Sequence, residues 1–285
     1  MAELWKGAPV AAALTERLCG QAERLRARGI SPTLAIVRVG ERAEDLSYER
    51  GACKRCEMIG ISVKHFILPV NCTQAELLTV IRRINEDGPS RLPPFPSSAQ
   101  TLGRGGGVCR PLPRQGCGWH HQRFPGQCIL RDGQVIPLHR SGLPGLLDYY
   151  GLSLPAGAPW WLGRSLVIGR PAAMLLLRTG TPAVTLCHTR TADLAAECRR
   201  AELLIAAAGR AGIIGANCLS PGQVVIDVGI NVDAAGHLVG DVDFAAAEAV
   251  VGAVTPVPGG VGAVTTSVLA RHVLDAAAKS ADISL

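Results

Sequence analysis

"GRSLVIGRPAAMLLL", residues 163–177, is the stretch on which the fold turns. Gly163 and Gly169 bracket a turn that runs into a helical pattern. Glycine there lets the backbone approach a pyrophosphate, and the start of the following helix offers unpaired N–H groups. The spacing departs from the usual G-x-G-x-x-G, and glycine turns between strand and helix are common, so the turn alone says little. Its surroundings say more. Short buried-strand candidates, "AVTLCHT" (183–189), "AELLIAAAG" (201–209) and "GQVVIDVGIN" (222–231), are separated by helical stretches such as "TADLAAECRRA" (191–201). "AVTPVPGGVGAVTTSVLARHVLDAAAKSA" (253–281) reads as a strand, a Pro/Gly loop and a final helix. Repeated βα units of this kind predict an α/β fold with a parallel, doubly wound sheet.

Toward the N-terminus the same alternation holds. "LAIVRVG" (34–40) and "VKHFILP" (63–69) are strand candidates, with a helix and turn between them over 46–61. Thr73 and Glu76 stand at capping-box spacing at the head of a helix that closes by Gly88. Residues 1–29 read as an amphipathic helix ending at Gly29, without a signal-peptide layout, and no run approaches the length needed to span a bilayer. A cytoplasmic protein is the expectation. Ten cysteines show no framework spacing, which speaks against structural disulfides.

The net charge of +6 invites a nucleic-acid partner, but the excess is local. Residues 89–145 hold seven Arg, one Asp and no Lys or Glu, while the remainder has 22 basic and 22 acidic residues and is neutral. The same segment carries nine of the 19 prolines and ten glycines, and breaks the strand–helix alternation. A structureless insert of this length is unusual in a compact domain. Cys109, Cys117, His120, His121, Cys128 and His139 raise a zinc site as the competing reading of this region. Structural zinc favours short paired spacings such as C-x₂-C, and none is present there.

Three further features suggest chemistry. "CHTRT" (187–191) ends a strand about 25 residues past the glycine turn, where a Rossmann sheet presents groups to the adenosine ribose. Arg164 and Arg190 are placed to reach a 2′-phosphate, favouring NADP over NAD; the plain alternative is two solvated arginines. In "TPVPGGVGAVTT" (255–266) proline fixes φ and glycine permits close approach of a flat ligand, or the loop is simply a tight turn before a helix.

Together "SYERGACKRCEMIGI" (47–61), "GRSLVIGRPAAMLLL", "VTLCHTRTADL" (184–194), "VVIDVGIN" (224–231), "VGDVDF" (239–244) and "TPVPGGVGAVTT" resemble the bifunctional methylenetetrahydrofolate dehydrogenase/methenyltetrahydrofolate cyclohydrolase family. The resemblance covers residues 1–88 and roughly 146–285. It implies two α/β domains: a folate-binding catalytic domain over 1–145, an NADP-binding Rossmann domain over 146–261, and a last helix, 262–285, returning to the first domain. It also implies a homodimer that oxidises 5,10-methylenetetrahydrofolate with NADP and hydrolyses the methenyl product to 10-formyltetrahydrofolate, with neither nucleic acid nor membrane as partner. The expected cofactor contacts are Gly163, Arg164, Ser165, Gly169, Pro171, His188, Thr189, Arg190 and Ile230. The expected folate contacts are Tyr48, Pro256, Pro258, Gly259, Gly260 and Gly262.

The family's catalytic helix carries a Tyr and, four residues on, a Lys. Tyr48 matches, but the fourth position is Ala52. Lys54 is the nearest lysine, and two residues on is about 200° around a helix, away from the Tyr48 face. Tyr48 and Lys54 are therefore the catalytic candidates, with the cyclohydrolase step in doubt.

The family's "PLP", "KDVDG" and "PCT" motifs are absent between 88 and 146, and the genetic code supplies a reason. Read one base later, the codons of "QGCGW" (115–119) followed by His120 can give "KDVDG", with the last Gly obligatory. The same shift allows "FRPLPK" from "FPSSAQ" (95–100) and "TGKSYPCTAQ" from "DGQVIPLHRS" (132–141). Residues 89–145 therefore resemble an out-of-frame translation, expected to be mostly irregular and poorly packed. A shorter slip at 158–162, in "APWWLG", would hide an apolar first Rossmann strand. The frame-shifted chain as written is then a product of little activity.

Overall fold

A computed structural model describes residues 1–41, 43–86, 94–96, 138–152, 160–163, 169, 173, 176–177 and 183–284. The chain divides into two compact units, one formed by Met1–Ala11 with His139–Thr265 and the other by Ala12–Leu138 with Thr266–Leu285.

The first unit holds a six-stranded parallel sheet. Its strands are β1 (Glu3–Leu4), β5 (Trp160–Gly163), β6 (Thr185–Cys187), β7 (Leu203–Ala206), β8 (Val224–Asp227) and β11 (Ala253–Val254), in the order β1-β11-β8-β7-β5-β6. The chain leaves β5 for β6 on one side and then crosses to β7 on the other, so the strand order reverses at β5. Such a reversal opens a crevice outside the carboxyl ends of the strands, where doubly wound sheets bind ligands. All four residues of β7 are buried, as a central parallel strand covered on both faces must be. Leu204, Ala206, Val225 and Val254 pack with Cys187, Cys198, Ile214, Val242 and Ala247 into the core of this unit. Around the sheet run α4 (Leu138–Tyr149), α5 (Leu194–Arg200) and α6 (Phe244–Val250), and an antiparallel pair, β9 (Asn231–Val232) with β10 (Leu238–Val239), follows β8. Gly169, Ala173, Leu176 and Leu177 have helical backbone, and the first three are buried at the 4- and 3-residue spacing of one helix face.

In the second unit β2 (Thr33–Val39) pairs in parallel with β3 (Ser62–Leu68) over seven residues and with β4 (Pro94–Pro96) on its other edge. Ala35 and Val37 on one face of β2 pack against Leu77, Ile81 and Ile84 of α3 (Gln74–Glu86). The capping box forms as expected: the Thr73 amide donates to Glu76 Oε2 at 2.7 Å and the Glu76 amide to Thr73 Oγ1 at 3.3 Å. On the other face lies α2 (Ala43–Ile59), ended by Gly60 at φ +83°, a helix-terminating conformation that a side chain strains to adopt. Two long helices, α1 (Gly7–Arg26) and α7 (Val261–Ser280), begin in the first unit and continue into the second. Their second-unit portions meet at Thr15 and Ser267, whose hydroxyls lie 3.5 Å apart.

Several expectations change. The N-terminal stretch is not all helix: Glu3–Leu4 forms β1 because its backbone completes the ladder beside β11. The ordered run expected to resume at 146 starts at Leu138, with Leu143, Leu146 and Leu147 buried along α4. Within 89–145, residues 94–96 are a strand and 138–145 belong to α4. Residues 89–93 and 97–137 lie outside the described residues; of the zinc candidates, Cys109, Cys117, His120, His121 and Cys128 lie there, whereas His139 is on α4. The strand expected to need a frame correction at 158–162 forms from Trp160, Trp161 and Leu162 as written, hydrogen-bonded to both β6 and β7. Tryptophan suits strand backbone, so the identity of these residues does not bar the pairing.

Candidate functional site

Three loops gather at the carboxyl ends of the first unit's strands. After β6, the turn His188–Thr191 closes on itself: the His188 amide donates to Thr191 Oγ1 at 2.9 Å, and the Arg190 amide to His188 Nδ1 at 2.8 Å. This locks the imidazole to its own turn and leaves Thr189 and Arg190 exposed. After β7 comes Ala208–Arg210, and after β8 comes Gly229–Asn231, with Ile230 63% exposed. Gly163 ends β5 between β6 and β7, at the reversal. Arg164, Ser165 and Pro171 lie outside the described residues.

Two buried carboxylates organise these loops. Asp227 Oδ1 accepts from the amides of Gly229 at 2.8 Å and Asp241 at 3.1 Å, and its Oδ2 from Val242 at 2.9 Å. Asp241 Oδ2 accepts from the amides of Ala208 at 2.5 Å and Gly209 at 2.9 Å. Its Oδ1 accepts from the Arg210 amide at 2.9 Å and the Asn231 side chain at 2.8 Å. Burial pushes the Asp227 carboxyl up to about 6, against the downward pull of its three amide donors, and the Asp241 charge adds to the rise. The approach demands glycine: a Cβ on Gly240 would sit 1.9 Å from Asp227 Oδ2, and one on Gly229 2.4 Å from Asp241 Cγ. "VVIDVGIN" and "VGDVDF" carried the resemblance in sequence, but the role of their two aspartates was missed, because nothing along the chain shows that positions 14 apart share a set of amides.

The Pro/Gly loop after β11 is held from below. Thr255 is buried; its hydroxyl accepts from the Asp227 amide at 2.8 Å and its own amide donates to the Val225 carbonyl at 3.0 Å. The Val257–Pro258 peptide is cis, and Gly259 has φ +104°. The Gly259 carbonyl accepts from the Gly7 amide at 2.8 Å. Gly260 is buried, whereas Pro258, Gly259 and Gly262 are exposed and Pro256 is half-buried. Next to this loop Trp5 stacks on Tyr150, their ring centroids 4.7 Å apart and the planes 4° from parallel, and the Tyr150 hydroxyl donates to the Lys6 carbonyl at 2.8 Å.

In the second unit α2 presents two different faces. Tyr48 is half-buried and Ala52, one turn on, is buried, while Lys54 is exposed. The helix therefore places Ala52 and not Lys54 in line with Tyr48, as the 3.6-residue period dictates. On the neighbouring face a chain of polar groups crosses from β2 to α2 to β3. Arg38 Nε donates to Glu49 Oε2 at 2.9 Å, Glu49 Oε1 lies 2.9 Å from His65 Nδ1, and His65 Nε2 lies 3.9 Å from Cys53 Sγ. Burial and the Glu49 charge both push the Cys53 thiol up, so it favours the neutral thiol. Sequence reasoning did not find this relay, whose four members come from three elements. Among the described residues no cluster of three or more His, Cys, Asp or Glu is arranged to hold a metal ion.

A doubly wound parallel sheet whose reversal is ringed by amide-pinned loops, joined to a second α/β unit, defines a two-domain protein of the dinucleotide-binding class. The chain belongs to the tetrahydrofolate dehydrogenase/cyclohydrolase family: the family's catalytic-domain model matches residues 5–90 and its NAD(P)-binding-domain model residues 139–281. A bifunctional protein FolD of Clostridioides difficile (strain 630) is 39% identical, with 96% of each chain covered. One from Carboxydothermus hydrogenoformans is 40% identical over 97% of each. Among solved structures, the bifunctional methylenetetrahydrofolate dehydrogenase/cyclohydrolase of Campylobacter jejuni matches at a TM-score of 0.86 and 29% identity, covering 98% of this chain and 99% of that one. The Trypanosoma brucei dehydrogenase-cyclohydrolase, solved with NADP and an inhibitor, matches at 0.84 and 27%, covering 98% of each chain.

Proposed function

We propose that the protein oxidises 5,10-methylenetetrahydrofolate to the 5,10-methenyl form with NADP, and adds water to that product to give 10-formyltetrahydrofolate and a proton. The observation that carries this reading is the match of both family models, one to each half of a chain whose sheet has the switch-point crevice of a dinucleotide site. Bound NADP supplies a hydride acceptor. The residues present fit such a group: Gly163 ends the strand at the reversal, the His188–Thr191 turn sits at the end of the adjacent strand, and exposed Ile230 flanks the crevice on the far side. Gly163, Arg164, Ser165, Gly169 and Pro171 are assigned to the phosphates, His188, Thr189 and Arg190 to the adenosine end, and Arg164 with Arg190 to the 2′-phosphate.

The folate contacts are Tyr48, which stacks near the pterin, and Pro256, Pro258, Gly259, Gly260 and Gly262 of the loop after β11. Holding two rings in a near-attack geometry serves hydride transfer, and a rigid loop supplies that. Water addition also needs a proton moved, a task commonly worth about 10²–10⁴-fold, and buried Ala52 offers no group for it. Lys54 is the remaining catalytic candidate, from the exposed side of α2. The protein acts in the cytoplasm as a homodimer on soluble folates, with neither nucleic acid nor membrane as partner. Among the described residues no helix is long and apolar enough to cross a membrane.

Following NADPH formation from 5,10-methylenetetrahydrofolate, and separately the decay of methenyltetrahydrofolate, tests both steps; absence of NADP-dependent oxidation in a frame-corrected protein overturns the reading. One observation favours the accompanying frame reading: the two family models leave 91–138 unmatched, within the segment assigned to the wrong frame. Sequencing the coding DNA across residues 85–165 decides it. An unshifted frame there, with full activity in the chain as written, removes it.

A further inference from the structure

Asp241 has no exposed surface, and its carboxylate accepts from three backbone amides and one amide side chain. Four donors converge on it, three from successive residues of the loop after β7 and one from the loop after β8. The loop after β7 borders the crevice at the reversal of the sheet, and the loop after β8 is its neighbour in strand order. Loops of this kind have few other restraints: Ala208, Gly209 and Arg210 are exposed, and Gly209 has φ +67°. A carboxylate accepting several N–H bonds is a strong and directional anchor, because each bond is charge-assisted and the surroundings are dry. Asp227 supports it from behind by accepting the amide of Asp241 itself.

We propose that Asp241 is a positioning residue of the dinucleotide site, tying Ala208–Arg210 to Asn231 so that the far side of the crevice is shaped before the dinucleotide arrives. The inference rests on the dinucleotide reading above. In a doubly wound sheet the adenosine ribose lies at the end of the second strand, here β6. The loops after β7 and β8 lie on the other side of β5 and so meet the nicotinamide half. Asp241 therefore governs the affinity of the whole dinucleotide but not that of its adenosine fragment.

The test titrates the full chain with NADP and, in parallel, with 2′,5′-ADP, which lacks the nicotinamide half. Asp241→Asn keeps the shape but turns a donor toward donors, and should weaken NADP about tenfold or more, the scale of a lost charge-assisted hydrogen bond. Its affinity for 2′,5′-ADP should stay within about twofold of wild type, a change of a few tenths of a kcal/mol. Asn231→Ala removes a single donor from a half-buried loop position and should weaken NADP in the same direction by less, with 2′,5′-ADP unmoved. Equal weakening of both ligands means that Asp241 merely holds the unit together, and overturns the proposal. So does unchanged NADP affinity in folded Asp241→Asn, or in Asn231→Ala if the first variant fails to fold. Wild-type protein that binds neither ligand overturns the dinucleotide reading and this inference with it, whereas wild-type binding with insensitive variants overturns this inference alone.

Discussion

Gly7 and Gly260 approach so closely that a Cβ on Gly7 would lie 2.0 Å from the Gly260 carbonyl oxygen. The Gly7 amide meanwhile donates to Gly259 at 2.8 Å, so the first turn of α1 is seated directly against the Pro/Gly loop. Gly7→Ala must push the two apart. Overpacking of this kind costs about 1–3 kcal/mol, and the displaced loop is the one assigned to folate. The expected outcome is a lower unfolding midpoint in urea together with a raised KM for the folate substrate and an unchanged Kd for NADP. A KM that stays at the wild-type value would separate the loop from folate binding.

The Asp227 carboxyl predicts a definite pH dependence of stability. Burial, reinforced by the neighbouring Asp241 charge, pushes it up to about 6 from an ordinary 3.8. Between those values the folded protein holds more protons than the unfolded chain, so stability falls as pH rises through that window. This group's share is fully present below the unfolded value and lost above about 6, on the order of 3 kcal/mol at about 1.4 kcal/mol per unit. Denaturant unfolding of wild type and Asp227→Asn across the range measures it. The variant should lose that slope, whatever its absolute stability; parallel profiles would remove Asp227 as the source.

Ala52→Lys places an amine one helical turn from Tyr48, where the family carries its lysine. In a frame-corrected protein this should raise the cyclohydrolase rate by about 10²-fold, the lower end of general acid–base effects, and leave the dehydrogenase rate nearly unchanged. Assaying the two steps separately decides it. Rapid cyclohydrolase activity with Ala52 in place, collapsing on Lys54→Ala, would assign the proton transfer to the exposed Lys54 instead.

Arg190 is exposed within the His188–Thr191 turn, and Arg164 is the next residue in sequence after Gly163. Arg190→Ala and Arg164→Ala should each lower the preference for NADP over NAD by about tenfold, because a guanidinium pairs with a phosphate by charge-assisted bonds that the 2′-hydroxyl cannot match. Kd values for both dinucleotides supply the ratio. The same ratio in wild type and both variants would mean two solvated arginines.

The alternation of strands and helices was legible because buried parallel strands must be apolar runs and their helices must carry a 3.6-residue stripe. β2, β3, β7 and β8 all formed where "LAIVRVG", "VKHFILP", "AELLIAAAG" and "GQVVIDVGIN" placed them. The Thr73–Glu76 capping box was legible for the same reason, since both partners lie within one turn. Even the geometry around Tyr48 followed from the helical period, which put Ala52 on its face and Lys54 off it.

What the sequence determined by itself was thus local or periodic: element type, the doubly wound class, the family's motifs and the anomaly of composition at 89–145. The tertiary structure alone decided which distant groups share a hydrogen bond. Glu3–Leu4 became a strand only because β11 had a free edge to pair, and Trp160–Gly163 became one because β6 and β7 flank it. The Arg38–Glu49–His65 pairing and the convergence of Ala208, Gly209, Arg210 and Asn231 on Asp241 depend on chain segments 10 to 33 residues apart. No propensity or period encodes such a meeting. It arises when burial of the apolar faces brings the strand ends together, and polar groups trapped there must find partners or bear the cost of desolvation.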